Sequence, residues 1–552
     1  MKNKLRVGIL LDSNDIPAWS YQMLKEIKES SYAEIVLVVK NNPKKENKIN
    51  FFTKIWKSYN KIAYSLYRKI DRKLFKCTPD AFELKNINTL ISVNEIAVIP
   101  EKTKFSDRIT DDDLQQINRH NIDIFIRMGF RILRGNLLKI AKYGVWSYHH
   151  ADNAVNRGGP AGFWEVIEGA EETGVVLQIL NEHLDGGIIL FKSYSLTDNI
   201  SVHRNLNNFY WKALSFLPSK INELYTIGGE EFFKKVDEFN NHPQFYSNRL
   251  YTAPANKTVI LYVLKKIISK TTDKINKLFF FNQWILLFKM NTSGTISTSF
   301  YQFKKIIPPK DRFWADPHIL KKNDTYYIFI EEFIRSENKG FISVIEMDNK
   351  GNYKAPVKVL ERDYHLSYPF LIEDKGEIFM LPETKANNTI ELYKCVEFPL
   401  KWELETILIN NIQAVDSTIT CQDNKYWLFT NMVRNKGASA NDELFLFSSD
   451  RLISNNWKNH PQNPVISDIK QSRPAGKFFV YKNALYRPSQ NSSKHYGYGI
   501  KINKVEKLTE TEYKETVIDS IVPGWEKKIL STHTINSVDK LTIIDALMKR
   551  RR

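Results

Sequence analysis

Five short motifs, Ala315-Asp316-Pro317, Tyr368-Pro369-Phe370, Asp416-Ser417-Thr418, Arg473-Pro474-Ala475 and Thr532-His533-Thr534, recur through the second half of the chain at roughly the 50-residue period of propeller blades. Four of them lead through a polar turn into strands ending in Ile328-Phe329-Ile330-Glu331-Glu332, Phe379-Met380-Leu381-Pro382-Glu383, Trp427-Leu428-Phe429-Thr430-Asn431 and Tyr486-Arg487-Pro488-Ser489-Gln490. A further apolar strand, such as Phe341–Ile345, Ile390–Tyr393 or Leu444–Phe447, follows. Such units cannot bury their own apolar faces and must pack side by side around a channel. Five motifs predict an all-β five-bladed propeller over residues 284–548. If each motif opens an innermost strand, Asp316, Asp416, Arg473 and His533 converge at one mouth of the channel, with Glu332 or Glu383 nearby.

The first half has a different texture. Leu5–Leu11 and Ala33–Val39 are continuous apolar runs of the kind a parallel sheet buries on both faces, Ala18–Glu29 has helical spacing, and Ile122–Met128 reads as another strand. This alternation predicts a Rossmann-like α/β domain over residues 1–250. A chain of 552 residues is too long for a single core, so two domains are expected. Two basic amphipathic stretches stand out, Phe51–Phe75 and Lys257–Phe281, and the second falls in an expected linker helix over 251–283. In the first, Phe52, Ile55, Trp56, Tyr59, Ile62, Ala63 and Leu66 share one face among lysines and arginines. The expectation is a helix packed on the sheet with a solvated basic face; the alternative is an interfacial helix on an anionic membrane or a partner.

Lysine and arginine outnumber aspartate and glutamate 80 to 62, a net charge of +18, which favours anionic partners such as nucleotides or acidic lipid headgroups. No nucleic-acid-binding pattern accompanies that charge, so no nucleic-acid partner is expected. The three cysteines, Cys77, Cys395 and Cys421, are far apart in sequence, which argues against a disulfide framework or zinc site, and no metal is expected. With no signal peptide and no apolar run of membrane-spanning length, the chain is expected to be cytoplasmic.

One passage carries chemistry. Ser147-Tyr148-His149-His150 is followed by Arg157-Gly158, Thr173-Gly174-Val175 and Leu184-Asp185-Gly186-Gly187. Over residues 5–200 the chain resembles the folate-dependent formyltransferase family, whose pattern is Asn-x-His, an Arg-Gly eight and nine residues later, Thr-Gly-Val and Leu-Asp-x-Gly. The resemblance implies His149 and Asp185 as catalytic residues, with 10-formyltetrahydrofolate bound by Met128, Gly129, Phe130, Ile132, Leu133 and Gly186. It also implies Arg157, Gly158 and His150 on the acceptor side. In a reaction of this type an amine attacks the formyl carbonyl, donors hold the developing oxyanion, and the aspartate orients and charges the imidazole. This chain departs from the pattern at Ser147, where the family has asparagine. A serine hydroxyl also donates, but it is shorter and free to rotate, so either Ser147 substitutes, helped by His150, or the domain is slow, altered in donor or catalytically silent.

The second half resembles the propellers of arabinanases, levansucrases and invertases. More closely it is similar to the N-terminal domain of glucosamine inositolphosphorylceramide transferases, through Phe313-Trp314-Ala315-Asp316-Pro317, His365-Leu366-Ser367-Tyr368-Pro369-Phe370 and Ser472-Arg473-Pro474-Ala475-Gly476. Hydrolases of that superfamily pair an aspartate with a glutamic acid, a role for which Asp316 and Glu383 are candidates. The expected function is transfer of a formyl group to an amino sugar, carried on a nucleotide, in surface-polysaccharide synthesis, with the propeller binding carbohydrate. Two alternatives stay open, a working glycosidase or glycosyl-transfer propeller on a degenerate scaffold, and a non-catalytic glycan-binding protein. Lys549–Arg552 reads as a solvated tail or a contact to anionic lipid.

Overall fold

A computed structural model of the chain describes residues 2–42, 59–291 and 296–552. They form two compact units, one ending at Ile267 and including Asn435–Ala438, the other comprising Ile268–Arg434 and Ser439–Arg552. The helix Asn256–Phe279 carries the chain from one to the other and runs directly into the strand Phe280–Met290.

The first unit is built on a seven-stranded sheet in the order Ile188–Leu196, Glu172–Ile179, Val145–His149, Ile124–Arg127, Leu5–Leu11, Ala33–Asn41, Asn94–Val98. The last five pair in parallel, and the first two add antiparallel. Alternation along Leu5–Leu11 explains why it reads as one apolar run: Val7, Ile9 and Leu11 enter a core with Met23, Leu24, Ile27, Trp146, Leu217 and Phe232, whereas Leu10 joins Val39, Phe125, Ile117 and Leu137 on the opposite face. Each such fully buried side chain contributes roughly 1.5–3 kcal/mol. The chain runs outward from Leu5–Leu11 to Ala33–Asn41 and Asn94–Val98, then returns to the other side of Leu5–Leu11 as Ile124–Arg127. That reversal creates a switch point at the carboxyl ends of these strands, the place where open α/β sheets bind ligands.

The helix expected over Phe51–Phe75 is described from the single turn Tyr59–Lys61 onward, as Ile62–Leu74; Phe52, Ile55 and Trp56 lie outside the described residues. Its expected apolar face does not pack on the sheet. Ile62 and Leu66 are 57% and 56% exposed, and the helix is held instead through Tyr64 and Tyr67, whose rings meet Phe163 edge-on while Tyr67 also meets Tyr262. Residues 62 and 64 are two helical steps, about 200°, apart, so anchoring through the tyrosines turns the aliphatic face outward.

The second unit contains five antiparallel sheets. Four follow in chain order: Arg312–Leu360, Ser367–Asn410, Ala414–Ser467 and Phe479–Ile521. The fifth joins both ends of the unit, with Phe280–Met290 zipped along its full length to Leu541–Arg551. Lys549–Arg551 therefore belong to a strand, and only the last residue remains of the expected tail. Separate apolar clusters lie between the first and second sheets (Phe329, Met380), the second and third (Phe370, Leu428), the third and fourth (Phe429, Phe478), the fourth and fifth (Ile500, Ile544) and the fifth and first (Phe288, Ile328).

The repeated motif has a physical basis. In three sheets it is a β-bulge in the first strand, with register breaks between Ala315 and His318, Ser367 and Phe370, and Val415 and Thr418. Each bulge holds a non-glycine residue at positive φ: Asp316 (51°), Tyr368 (43°) and Asp416 (50°). Such backbone costs on the order of 1–3 kcal/mol and persists where the surroundings over-determine it.

Candidate functional site

In the first unit the strand Val145–His149 ends beside Ile124–Arg127, with Ser147 opposite Arg127 in the parallel register. His149, at the carboxyl end, is buried, with Nδ1 3.2 Å from Asp185 Oδ1 and Nε2 2.7 Å from the Asn156 carbonyl oxygen. Burial opposes a charged imidazole. The hydrogen bond and charge of Asp185, the Asn156 carbonyl and the Glu165 carboxyl outweigh it and hold the His149 pKa above its ordinary value. Burial likewise opposes the Asp185 carboxylate, yet His149, the Gly158 N–H and Arg127 bring its pKa below the ordinary range. The pair is therefore an ion pair in which both ring nitrogens have acceptors, and His149 reaches a reacting oxygen only if the Asn156 carbonyl gives way.

Asp185 is itself held at positive φ (52°) and accepts from the Gly158 N–H at 3.0 Å. Gly158 cannot be replaced cheaply, because a Cβ there would lie 2.3 Å from the Tyr251 carbonyl oxygen. Arg157 donates through Nε to the Asn153 carbonyl (2.9 Å), and its guanidinium lies 4.6 Å from the Tyr246 ring centre. Gly186 accepts from Asn181 Nδ2 at 2.8 Å within the same turn. These residues brace the His149–Asp185 pair.

Arg127 and Glu165 also belong to this site. Arg127 Nη1 donates to Ser147 Oγ at 3.3 Å, Nη2 donates to the Phe130 and Arg131 carbonyls at 3.0 and 2.9 Å, and Nε is enclosed without a partner among the described residues. Burial lowers its pKa while Asp185, Asp12 and Asp107 work to retain the charge, and a guanidinium stays protonated in any case. Glu165 is buried and accepts from Asn156 Nδ2 at 3.0 Å, with burial raising its pKa. It positions the asparagine whose carbonyl faces His149. Trp164 packs beside it, donating to the Thr252 carbonyl at 3.0 Å beneath Arg249.

Two expectations are corrected here. His150 does not join Ser147: it lies three residues on, just past the strand Val145–His149, and its ring stacks on Tyr210 at 3.8 Å and meets Trp19 edge-on, with burial pushing its pKa down to about 3. In the expected pterin segment, Phe130 and Leu133 are buried in the core formed with Leu10 and Phe125, leaving Met128 and Ile132 partly accessible. Gly129 serves close approach, since a Cβ would stand 2.4 Å from the Asp12 amide nitrogen, and the Phe130 N–H donates to Asp12 Oδ1 at 2.8 Å.

In the second unit the bulged residues gather a buried charged cluster. His533 lies between two acids, Nδ1 2.6 Å from Asp545 Oδ2 and Nε2 3.5 Å from Asp316 Oδ1, and stacks on Trp284 at 4.2 Å. Burial opposes its charge, but Asp545 and Asp316 raise its pKa to about 9. Asp316, Asp545 and His533 offer ligand atoms within 4.8 Å of one another. However, Asp545 also accepts the amides of Asp316, His533 and Thr534, the pattern of an imidazolium clamped between carboxylates. Asp416 accepts from Arg473 Nη2 at 3.1 Å and Gln490 Nε2 at 2.7 Å, and Arg473 Nη2 is 3.5 Å from Glu383.

Burial and then Asp416 raise Glu383 to about 8; burial also raises Asp316 to about 6. Glu332 does not join this cluster. It is held by Arg312 at 2.9 Å and Ser343 at 2.7 Å. Its neighbour Glu331 faces the cluster, 3.4 Å from His365 Nε2, its pKa raised first by burial and then by Asp316, Glu383 and Asp416. Strand alternation means only one of two adjacent glutamates can point inward.

The comparisons with known proteins divide along the chain in the same way. The sequence profile of the glucosamine inositolphosphorylceramide transferase 1 N-terminal domain matches residues 304–537. The chain is similar to glucosamine inositolphosphorylceramide transferase 1 of Oryza sativa subsp. japonica, 35% identical over 210 residues, covering 38% of this chain and 28% of that protein. The N-terminal half is similar to a methionyl-tRNA formyltransferase of Prochlorococcus marinus, 37% identical over 84 residues, or 15% of this chain and 25% of that protein. The chain thus spans only about a quarter of the length of these curated relatives. Among solved structures, glycinamide ribonucleotide transformylase 1 from Symbiobacterium toebii aligns at 11% identity over 40% of this chain and 86% of its own (TM-score 0.26). A family 117 glycoside hydrolase from Zobellia galactanivorans aligns at 10% identity over 48% and 90% (TM-score 0.33). The first half is formyltransferase-like and the second is similar to the transferase N-terminal domain.

Proposed function

We propose that the first unit transfers a formyl group from 10-formyltetrahydrofolate to the amine of an amino sugar, nucleotide-linked, in surface-polysaccharide synthesis. The second unit, read as five blades closed into a propeller, binds carbohydrate. The observation that carries the reading is the His149–Asp185 ion pair at the sheet's switch point with the Arg127 guanidinium beside Ser147. The donor set fits a formyl donor, because Arg127 Nε is an enclosed N–H without a partner among the described residues, suited to a carbonyl oxygen that gains charge. When bound, the folate supplies the activated formyl carbon. Arg127 and Ser147 take the place of the family's asparagine amide, with a fixed positive charge compensating for the short hydroxyl. Asp185 keeps His149 charged and oriented, and Glu165 and Asn156 hold the ring's other edge.

Carbohydrate binding in the second unit is supported over hydrolysis by the state of its acids. Asp416 is occupied by Arg473 and Gln490, and Asp316 by Thr534 and His533, so neither is an open base or nucleophile for the two-carboxyl reaction. The glycosidase reading keeps one supporting feature, the Glu383 carboxyl raised to about 8, which stays protonated near neutrality as a general acid must.

Calorimetric titration of the full chain with 10-formyltetrahydrofolate or a stable folate analogue tests the proposal, alongside His149→Ala and Ser147→Asn. Micromolar binding supports it and justifies screening nucleotide-linked amino sugars as acceptors. Absence of binding in both the wild type and Ser147→Asn overturns it.

A further inference from the structure

We propose that the paired helical segments 59–74 and 256–267 form a docking face that seats the first unit on an anionic lipid bilayer. The two segments are fastened to each other and to the domain by one set of contacts. Asn256 Oδ1 accepts the Ala63 amide at 2.9 Å, Asn256 Nδ2 donates to the Tyr59 carbonyl at 2.8 Å, and Tyr64, Val259 and Tyr262 are buried with Phe163 and Trp164. The acid on this inner side, Asp71, is buried and accepts from Ser201 Oγ (3.0 Å) and the His203 amide (2.7 Å). With the tyrosines and Asp71 turned inward, each helix presents aliphatic side chains outward.

On the first helix Ile62, Leu66, Ile70 and Leu74 follow one another at four-residue spacing and are 47–70% exposed, a single slowly winding stripe. On the second, Ile260, Leu261 and Leu264 are 51–54% exposed. Single exposed aliphatics are ordinary on a protein surface, but seven on two adjoining helices mark an interaction surface. The charges beside them identify the occupant. Within residues 59–74 and 256–267 there are eight lysines and arginines and a single acid, the inward Asp71. Lys69, Lys73, Lys257 and Lys265 are exposed alongside the stripes. Apolar groups flanked by long cations that can extend to headgroup phosphates suit the interface of an anionic bilayer. This face lies apart from the His149 pair and does not depend on the reaction assigned to it.

The test is flotation of the full-length protein with vesicles of phosphatidylcholine alone or mixed with phosphatidylglycerol. It compares wild type with Leu66→Gln/Ile70→Gln/Leu264→Gln and with Lys69→Glu/Lys73→Glu; glutamine preserves helix propensity at these exposed positions, and circular dichroism melting checks the fold. The expected result is flotation of the wild type with the mixed vesicles only, weakened by salt. The glutamine variant, whose net charge is unchanged, loses roughly tenfold or more in partition, and the glutamate variant loses binding as well. The proposal is overturned if the wild type binds neither vesicle, or if the glutamine variant binds as the wild type does, which would leave only the overall positive charge. It is also overturned if sedimentation velocity shows the stripe mediating self-association in place of vesicle binding.

Discussion

Arg127 Nη1 and Ser147 Oγ stand 3.3 Å apart across two parallel strands, one carboxyl end of the sheet supplying a permanent charge to a hydroxyl on the next. The hydroxyl sits two residues before His149, so the charge reaches the same rim as the His149–Asp185 pair, and Arg127 in turn helps keep Asp185 ionised.

Arg127→Ala is expected to lower the rate of formyl transfer by about 10²–10³, the effect of losing one oxyanion donor, with Ser147→Ala costing less because the guanidinium remains. Adding Ser147→Asn to Arg127→Ala should restore part of the rate by returning an amide to that position. A purely structural Arg127 would show the loss without the rescue, so kcat for the single and double variants, beside their melting temperatures, separates the two.

The His149–Asp185 pair predicts a pH window. His149 titrates above its unfolded value of about 6.5, so its contribution to stability is complete below that value and is lost as pH rises through the folded pKa. Asp185 titrates below its unfolded value of about 3.9, so its contribution is present above that value and is lost as pH falls through the folded pKa. Asp185→Asn should therefore destabilise most between about pH 4 and 6.5. The same substitution should bring the His149 titration, followed by NMR of the imidazole, down toward or below its ordinary value.

The parts of this molecule that were legible in the sequence are those where local chemistry and fold demand the same residues. The repeat was visible because three of the first strands need the same bulge, and the His149 and Asp185 motifs because their turns require Gly158 and Gly187 nearby. Arg127 was hidden at the end of the apolar strand Ile124–Arg127, where a cation reads as the strand's solvated exit; only the pairing with Ser147 gives it a role. Glu331 and Glu332 differ by one step of strand phase, which sequence alone does not fix. Helical periodicity likewise shows that Ile62 and Leu66 share a face, but not that Tyr64 and Tyr67 turn that face outward.

Glu331 and Glu332 should respond differently to the same change. Glu332→Gln breaks a buried ion pair with Arg312, whose loss costs about 3–5 kcal/mol where one partner stays buried and less where, as here, the arginine is partly exposed. Its expected effect is a lower urea midpoint with sugar affinity unchanged. Glu331→Gln removes an acid whose ionised form is opposed by burial and by four neighbouring carboxylates, so its stability cost is expected to be small. Its expected effect is weaker carbohydrate binding, measured by calorimetry against amino-sugar oligosaccharides.

His533 supplies the last prediction. Clamped by Asp545 and Asp316, it titrates at about 9 in the folded protein, against about 6.5 when unfolded, so the stability it contributes is fully present below pH 6.5 and is lost as pH rises through about 9. Denaturant unfolding of the wild type between pH 6 and 10 should show this decline, and Asp545→Asn, which lowers the histidine's pKa, should flatten it. Near pH 6 the same variant should lose about 3–5 kcal/mol, the cost of leaving a buried charge without its partner. Because three backbone amides also converge on Asp545, His533→Gln is the sharper control: it leaves those amides satisfied, so an equal flattening in both variants assigns the pH dependence to the imidazolium rather than to the loop around it.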